Sequence, residues 1–195
     1  MKRLKIITSP VVEPISLEMA KLQCRGIVAE DEPLIQAYIK AARCKGESLT
    51  RKQFVEAEYE MTLEAWATME VIELPRPPLQ SVEFVKVIDL DGVETTLDVA
   101  TYEVVTDKLV GFVRSIDGWP TGASMTIKFK TGWPVTGESP DFIATTPEDI
   151  QTWILIRVAG LYEAPEAFVI GRDVSELPGD FVDGLLDAHI IPVVV

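Results

Sequence analysis

Between Val55 and Glu64 the chain alternates: Val55, Ala57, Tyr59, Met61 and Leu63 are apolar, with Glu56, Glu58, Glu60, Thr62 and Glu64 between them. A period of two puts the first set on one face of a strand and the second on the other. Local propensity of Glu, Ala and Met favours helix, but a helix would scatter these apolar residues around its circumference. The period therefore predicts a half-buried strand with an acidic face formed by Glu56, Glu58, Glu60 and Glu64. That face reads either as a negative wall or cation site, or as a solvated strand surface. Alternation returns over Val82–Ile88 and over Ala123–Thr131, where Met125, Ile127 and Phe129 share a face. Asp89-Leu90-Asp91-Gly92 supplies a turn to Val93–Leu97, and Tyr102–Thr106 with Leu109–Ser115 makes a second hairpin. Together these runs predict an antiparallel sheet of about five or six strands.

Helical spacing occupies the two flanks. After an extended start through Pro14, Ser16 caps a short helix, Leu17–Arg25, with Glu18 in its first turn. A second helix starts at Asp31 as N-cap with Pro33 in the first turn; Leu34, Ile35, Tyr38, Ile39 and Ala42 form its stripe, and Gly46 is expected to end it. Residues 136–145 have the composition of an irregular loop. Helix returns where Thr146 can cap, Pro147 fits the first position, and Glu148 and Asp149 meet the dipole. Ile150, Trp153, Ile154, Val158 and Leu161 leave that helix apolar on more than one face up to Pro165. A short amphipathic segment, Phe181–His189, and the apolar tail Ile190-Ile191-Pro192-Val193-Val194-Val195 follow. Such a tail left in water is an aggregation hazard, so Ile154, Val158, Ile190, Ile191, Val193, Val194 and Val195 are expected to be covered, either by their own subunit or at a contact with a neighbouring one.

Between the flanks lies Leu74-Pro75-Arg76-Pro77-Pro78-Leu79. Proline fixes φ and lacks a backbone donor, so Pro75, Arg76, Pro77 and Pro78 read as a rigid corner between two strands. The Pro-x-x-Pro spacing also matches a minimal SH3 ligand, but strands on both sides favour the structural role. Gly118-Trp119-Pro120 and Gly132-Trp133-Pro134 flank one strand spanning about 30 Å, so the two tryptophans cannot form one aromatic cage.

Charge narrows the classes of partner. With 18 basic and 31 acidic residues the net charge is −13, which disfavours tight binding of nucleic acid through phosphate contacts. No apolar run approaches a membrane span, and the start is too short for a secretory signal, so a cytoplasmic chain is expected. Two cysteines, Cys24 and Cys44, and one histidine, His189, make neither a disulfide framework nor a zinc set. No glycine-rich phosphate loop and no nucleophile motif is present. No catalytic, cofactor-binding or metal residue is expected, and the chain is read as a non-enzyme without cofactors.

A series of segments resembles the head-tail connector (adaptor, head completion) proteins of tailed bacteriophages and prophages. It comprises Pro14-Ile15-Ser16-Leu17-Glu18-Met19-Ala20-Lys21, Asp31-Glu32-Pro33-Leu34-Ile35, Ile72-Glu73-Leu74-Pro75-Arg76-Pro77-Pro78-Leu79-Gln80-Ser81-Val82 and Asp91-Gly92. Tyr102-Glu103-Val104, Lys130-Thr131-Gly132-Trp133, Thr146-Pro147-Glu148-Asp149-Ile150 and Leu161-Tyr162-Glu163 extend it over nearly the whole chain. The Leu-Pro-Arg-Pro-Pro-Leu-Gln-Ser-Val string is its most specific part. The resemblance implies an α+β fold, a helical bundle of two N-terminal and further C-terminal helices with an inserted antiparallel sheet. It implies one connector domain, with residues 1–50 helical, 51–145 β-rich and 146–195 the C-terminal helices and tail. Its function would be structural: a homo-oligomeric ring, usually of twelve copies, assembled in the host cytoplasm for the virion neck. That ring would dock beneath the portal protein after packaging and meet a tail-side connector, stopper or terminator, with DNA passing through its channel without tight specific binding and no membrane involved. A small β-rich binding module of unknown ligand and an uncharacterised enzyme are the alternatives.

Overall fold

The computed structural model describes residues 2–24, 28–107, 110–138, 142–163 and 179–191. The chain divides into two compact units, Met1–Val11 with Val55–Pro134, and Val12–Phe54 with Val135–Val195.

The first unit is built of strands: β1 (Lys2–Thr8), β2 (Ala57–Leu63), β3 (Val71–Leu74), β4 (Leu79–Ile88), β5 (Glu94–Thr96), β6 (Tyr102–Thr106), β7 (Gly111–Ser115) and β8 (Ser124–Thr131). They form a five-stranded antiparallel sheet in the order β1-β2-β8-β4-β5 and a three-stranded sheet in the order β3-β7-β6. β2 is in the state its period requires, with Ala57, Tyr59, Met61 and Leu63 buried and the residues between them half-buried. These four meet Met125, Ile127 and Phe129 of β8, Val85 and Val87 of β4, Ile72 and Leu74 of β3 and Val113 of β7 in one core. The apolar faces of the two sheets thus remove each other from water, the main source of stability for such a layered arrangement. Gly92 has φ +84°, the positive value the hairpin turn between β4 and β5 demands.

The second unit contains α1 (Leu17–Gln23), α2 (Glu32–Thr50), α3 (Glu148–Glu163), the short α4 (Gly179–Gly184), and a two-stranded sheet of β9 (Val135–Thr136) and β10 (Ile143–Ala144). Ser16 caps α1, its hydroxyl accepting from the Met19 N–H at 3.1 Å. Asp31 precedes α2 without a side-chain cap bond; its carboxylate instead accepts from the Tyr162 hydroxyl at 2.7 Å. That contact pushes the Tyr162 hydroxyl above its ordinary pKa, because ionisation would lose the hydrogen bond. Ile35, Ile39 and Ala42 of α2 are buried, as are Ile150, Trp153, Ile154 and Val158 of α3.

The structure departs from the expectations at several points. The fold is not a helical bundle of two N-terminal and further C-terminal helices carrying one inserted sheet; it is β-rich, with three antiparallel sheets of five, three and two strands among the described residues. The extended start is itself a sheet strand, β1, since Lys2–Leu63 through Thr8–Glu58 are paired across fifty or more residues of sequence. Gly46 does not end α2, which continues to Thr50 and closes at Arg51 in the left-handed region, φ 61°. Glycine inside a helix costs about 1 kcal/mol relative to alanine. It stands here because a Cβ would lie 2.5 Å from Phe54 Cε2 and 3.1 Å from Trp153 Cζ3. The stretch expected to be an irregular loop after Thr136 contains β10.

Candidate assembly surfaces

The four glutamates of the expected acidic face lie beside basic residues of neighbouring strands. Lys130 Nζ of β8 is 3.1 Å from Glu56 Oε1, and Lys128 Nζ is 3.6 Å from Glu58 Oε2 and 2.6 Å from Glu83 Oε2. Glu60 sits in register between Lys5 of β1 and Lys128 of β8, while Arg3 Nη2 lies 3.9 Å from Glu64 Oε1. Opposite charges across an antiparallel pair stabilise it modestly, and here they turn four carboxylates into a face of mixed sign. The Glu83 hydrogen bond, followed by the charge of Glu58, holds the Lys128 ammonium above its ordinary pKa.

Glu58 is the most engaged of the four. Thr8 Oγ1 donates to its Oε2 at 2.8 Å, and this bond with the Lys128 charge lowers its pKa below the ordinary glutamate value. A carboxylate whose folded pKa is depressed contributes stability that is present above its unfolded value and lost as pH falls through the folded one. Glu58→Gln should therefore shift the urea midpoint downward at neutral pH, and the gap from the parent protein should close as pH falls below the ordinary glutamate range. A gap that does not change with pH rejects this assignment.

Pro75 to Pro78 joins β3 of the smaller sheet to β4 of the larger one. Pro77 is buried and its neighbours half-buried, the Pro77–Pro78 bond is cis, and Arg76 has φ 63°. The far end of β8 holds this turn. Thr131 Oγ1 donates to Pro78 O at 2.9 Å and also contacts Arg76 O, and the Gly132 N–H donates to Pro78 O at 2.8 Å. Arg76 also lies over the Tyr59 ring, 5.7 Å from its centroid. With carbonyls accepting bonds and the arginine engaged, the segment is folded into the sheet layers rather than presented as an extended ligand.

In the helical unit, Ile154 and Val158 are fully buried within the chain, and Ile190 is exposed. The Ile191 N–H donates to Thr50 O at 3.2 Å. Val193, Val194 and Val195 lie outside the described residues, as do Pro165 and Pro192. His189 Nε2 lies 2.7 Å from Asp149 Oδ2 near the start of α3. Cys24 is buried and Cys44 exposed. Burial, with the Glu163 charge, pushes the Cys24 thiol upward, away from a reactive thiolate. Among the described residues no group of three or more His, Cys, Asp or Glu could hold a metal ion, and no helix is long and apolar enough to cross a membrane.

Sequence reading missed the buried ionic cluster of the helical unit. Arg43 donates from Nε to Glu13 Oε2 at 2.6 Å and from Nη1 to Glu47 Oε2 at 3.1 Å, and Glu47 Oε1 accepts from Gln53 Nε2 at 2.8 Å and Phe54 N–H at 3.1 Å. Burial alone would lower the Arg43 pKa, but the Glu13 hydrogen bond and the charges of Glu47 and Glu13 raise it above the ordinary arginine value. The i, i+4 spacing of Arg43 and Glu47 was visible, but that spacing is equally common on solvated helix faces.

No family model and no curated protein matches the chain. Solved structures do. A chain of the neck of an empty GTA particle computed with C6 symmetry has 20% sequence identity and a TM-score of 0.76, over 99% of this chain and 97% of that one. A chain of the virion of a native gene transfer agent (GTA) particle gives 20% identity and 0.76, over 98% and 97%. A chain of the neck of a native GTA particle computed with C12 symmetry gives 20% and 0.70, again over 98% and 97%. At this identity the likeness establishes a shared fold, and it extends from end to end of the chains.

Proposed function

We propose that this chain is a structural neck component of a phage-like particle, acting as a ring-forming connector between head and tail. The observation that carries the reading is the end-to-end fold likeness to chains from the necks of GTA particles, two of them computed with sixfold or twelvefold symmetry. The segments resembling head-tail connectors point the same way independently of the fold. In this reading twelve copies form a ring under the portal of a filled head, and the opposite face of the ring receives the tail-side protein. DNA passes through the channel, where the net charge of −13 opposes tight phosphate contacts. The role is structural rather than catalytic.

The test is to measure the purified protein by native mass spectrometry and to image it mixed with particles that lack it. The expected result is a closed ring, in solution or on the particle neck, and no shift of duplex DNA at physiological salt. Failure to form rings in either setting, or tight DNA binding by the free protein, rejects the proposal.

A further inference from the structure

The two free edges of the five-stranded sheet differ in charge. β1 carries Lys2, Arg3 and Lys5, and residues 1–12 contain no acidic residue, a local net charge of +3 on a chain of net −13. At the opposite edge, residues 89–98, the β4–β5 turn with β5 and its exit, hold Asp89, Asp91, Glu94 and Asp98 and no basic residue. Within the chain Glu94 takes Lys86 at 2.6 Å, and the Asp89 and Asp98 carboxylates accept backbone N–H groups at 2.9 Å. Both edges also expose apolar side chains.

Every residue of β1 is exposed on both faces. Leu4 and Ile6 pair with Met61 and Tyr59, so they continue the apolar face of the sheet, yet they remain 40% and 44% exposed, and Ile7 at the bulge is 40% exposed. Across the sheet Leu90 is 84% and Val93 58% exposed, and all three residues of β5 are exposed. A seven-residue strand with three exposed apolar side chains and, among the described residues, an unpaired outer edge is a template for pairing with another chain. Its lysines and arginine oppose pairing with a second β1, because like charges directly across a ladder are destabilising. They favour an acidic edge instead.

We infer that β1 of one copy docks against the β4–β5 edge of a second copy of this chain, continuing the five-stranded sheet from subunit to subunit. Because the two edges differ, the contact is head-to-tail, and a head-to-tail contact closes into a ring when its rotation permits. The apolar ledge of Leu4, Ile6 and Ile7 then meets Leu90 and Val93, with Lys2, Arg3 and Lys5 facing the aspartates. This inference deepens the ring-forming reading and rests on it.

Paired cysteines test it. Ile6→Cys and Val93→Cys are introduced together with Cys44→Ser, which removes the exposed native thiol. The two sites lie at opposite edges of a five-stranded sheet, about 19 Å apart across four strand spacings, too far for a bond within one chain. Mild oxidation should give a ladder of covalent dimers, trimers and higher species, whereas a control pairing Ile6→Cys with Ile116→Cys, another exposed site, should give little. Rings detected by native mass without that ladder, or with an equal ladder in the control, overturn the edge contact and leave the ring reading standing. A selective ladder with no closed ring either in solution or on the particle neck supports the contact and rejects the ring, and a protein that gives neither a ladder nor a ring in either setting rejects both.

Discussion

Glu47→Ala should destabilise the chain by about 3–5 kcal/mol, the range expected when one partner of a buried ion pair is removed. The Glu47 and Arg43 side chains are each only 7% exposed, so neither can recover its lost interactions from bulk water. Removing the carboxylate leaves Arg43 to Glu13 alone and takes away the acceptor that the Gln53 amide and the Phe54 N–H both use. The penalty thus combines a weakened buried cation with two displaced donors at the turn where α2 gives way to the next strand. Glu47→Gln retains one oxygen acceptor and loses the charge, so it should fall between the parent and the alanine variant. Urea unfolding followed by circular dichroism and tryptophan fluorescence measures both. A loss under about 1 kcal/mol for Glu47→Ala, the size seen for exposed pairs, would falsify a buried role for this network.

Trp153→Ala should cost a comparable amount, about 3–5 kcal/mol, because it opens a large hole in a packed interior. Trp153 is among the largest fully buried side chains, and it fills the space beside α2 that Gly46 leaves open by having no Cβ. Its indole Nε1 donates to Asp183 Oδ1 at 3.0 Å, which also accepts from Arg157 Nη2 at 2.6 Å, and the Arg157 guanidinium lies 5.3 Å from the ring centroid. Burial alone would raise the Asp183 pKa, but the bonds from Trp153 and Arg157 hold it below the ordinary aspartate value. The alanine variant loses packing, a charge-assisted hydrogen bond and the aromatic platform of Arg157 together. Trp153→Phe keeps most of the volume and removes only the donor, so it should lose much less stability. Equal losses for the two substitutions would show that volume is not the controlling factor.

Several local features were legible because they depend on neighbours in sequence. Ser16 lies three residues before Met19, within reach of that N–H, and Gly92 supplies the positive φ of a tight turn. β2 announced itself against its own helix-forming composition because a half-buried strand enforces a period of two. β1 gave no such signal, since both of its faces are exposed and alternation arises only where one face is buried. β3, β9 and β10, at four, two and two residues, are too short to show a period at all. The expectation of a helical bundle came from the resemblance to head-tail connectors, and the helix-sheet-helix order of the local patterns did not oppose it, because local patterns do not say how much of the chain each layer takes.

The residues alone determined which stretches could be strand or helix, where the chain had to turn, and that the surface would be strongly acidic. Tertiary structure decided which strands meet: β2 lies between β1 and β8, each distant in sequence, and only that arrangement brings Lys5, Lys128 and Lys130 alongside the glutamates. It also decided that Gly46 is a contact point rather than a helix end, and that Asp31 serves Tyr162, 131 residues away, rather than its own helix. The reason is the same in each case. Propensity and periodicity report forces between residues a few positions apart, whereas burial, pairing and charge neutralisation depend on groups that become neighbours only when the backbone closes on itself.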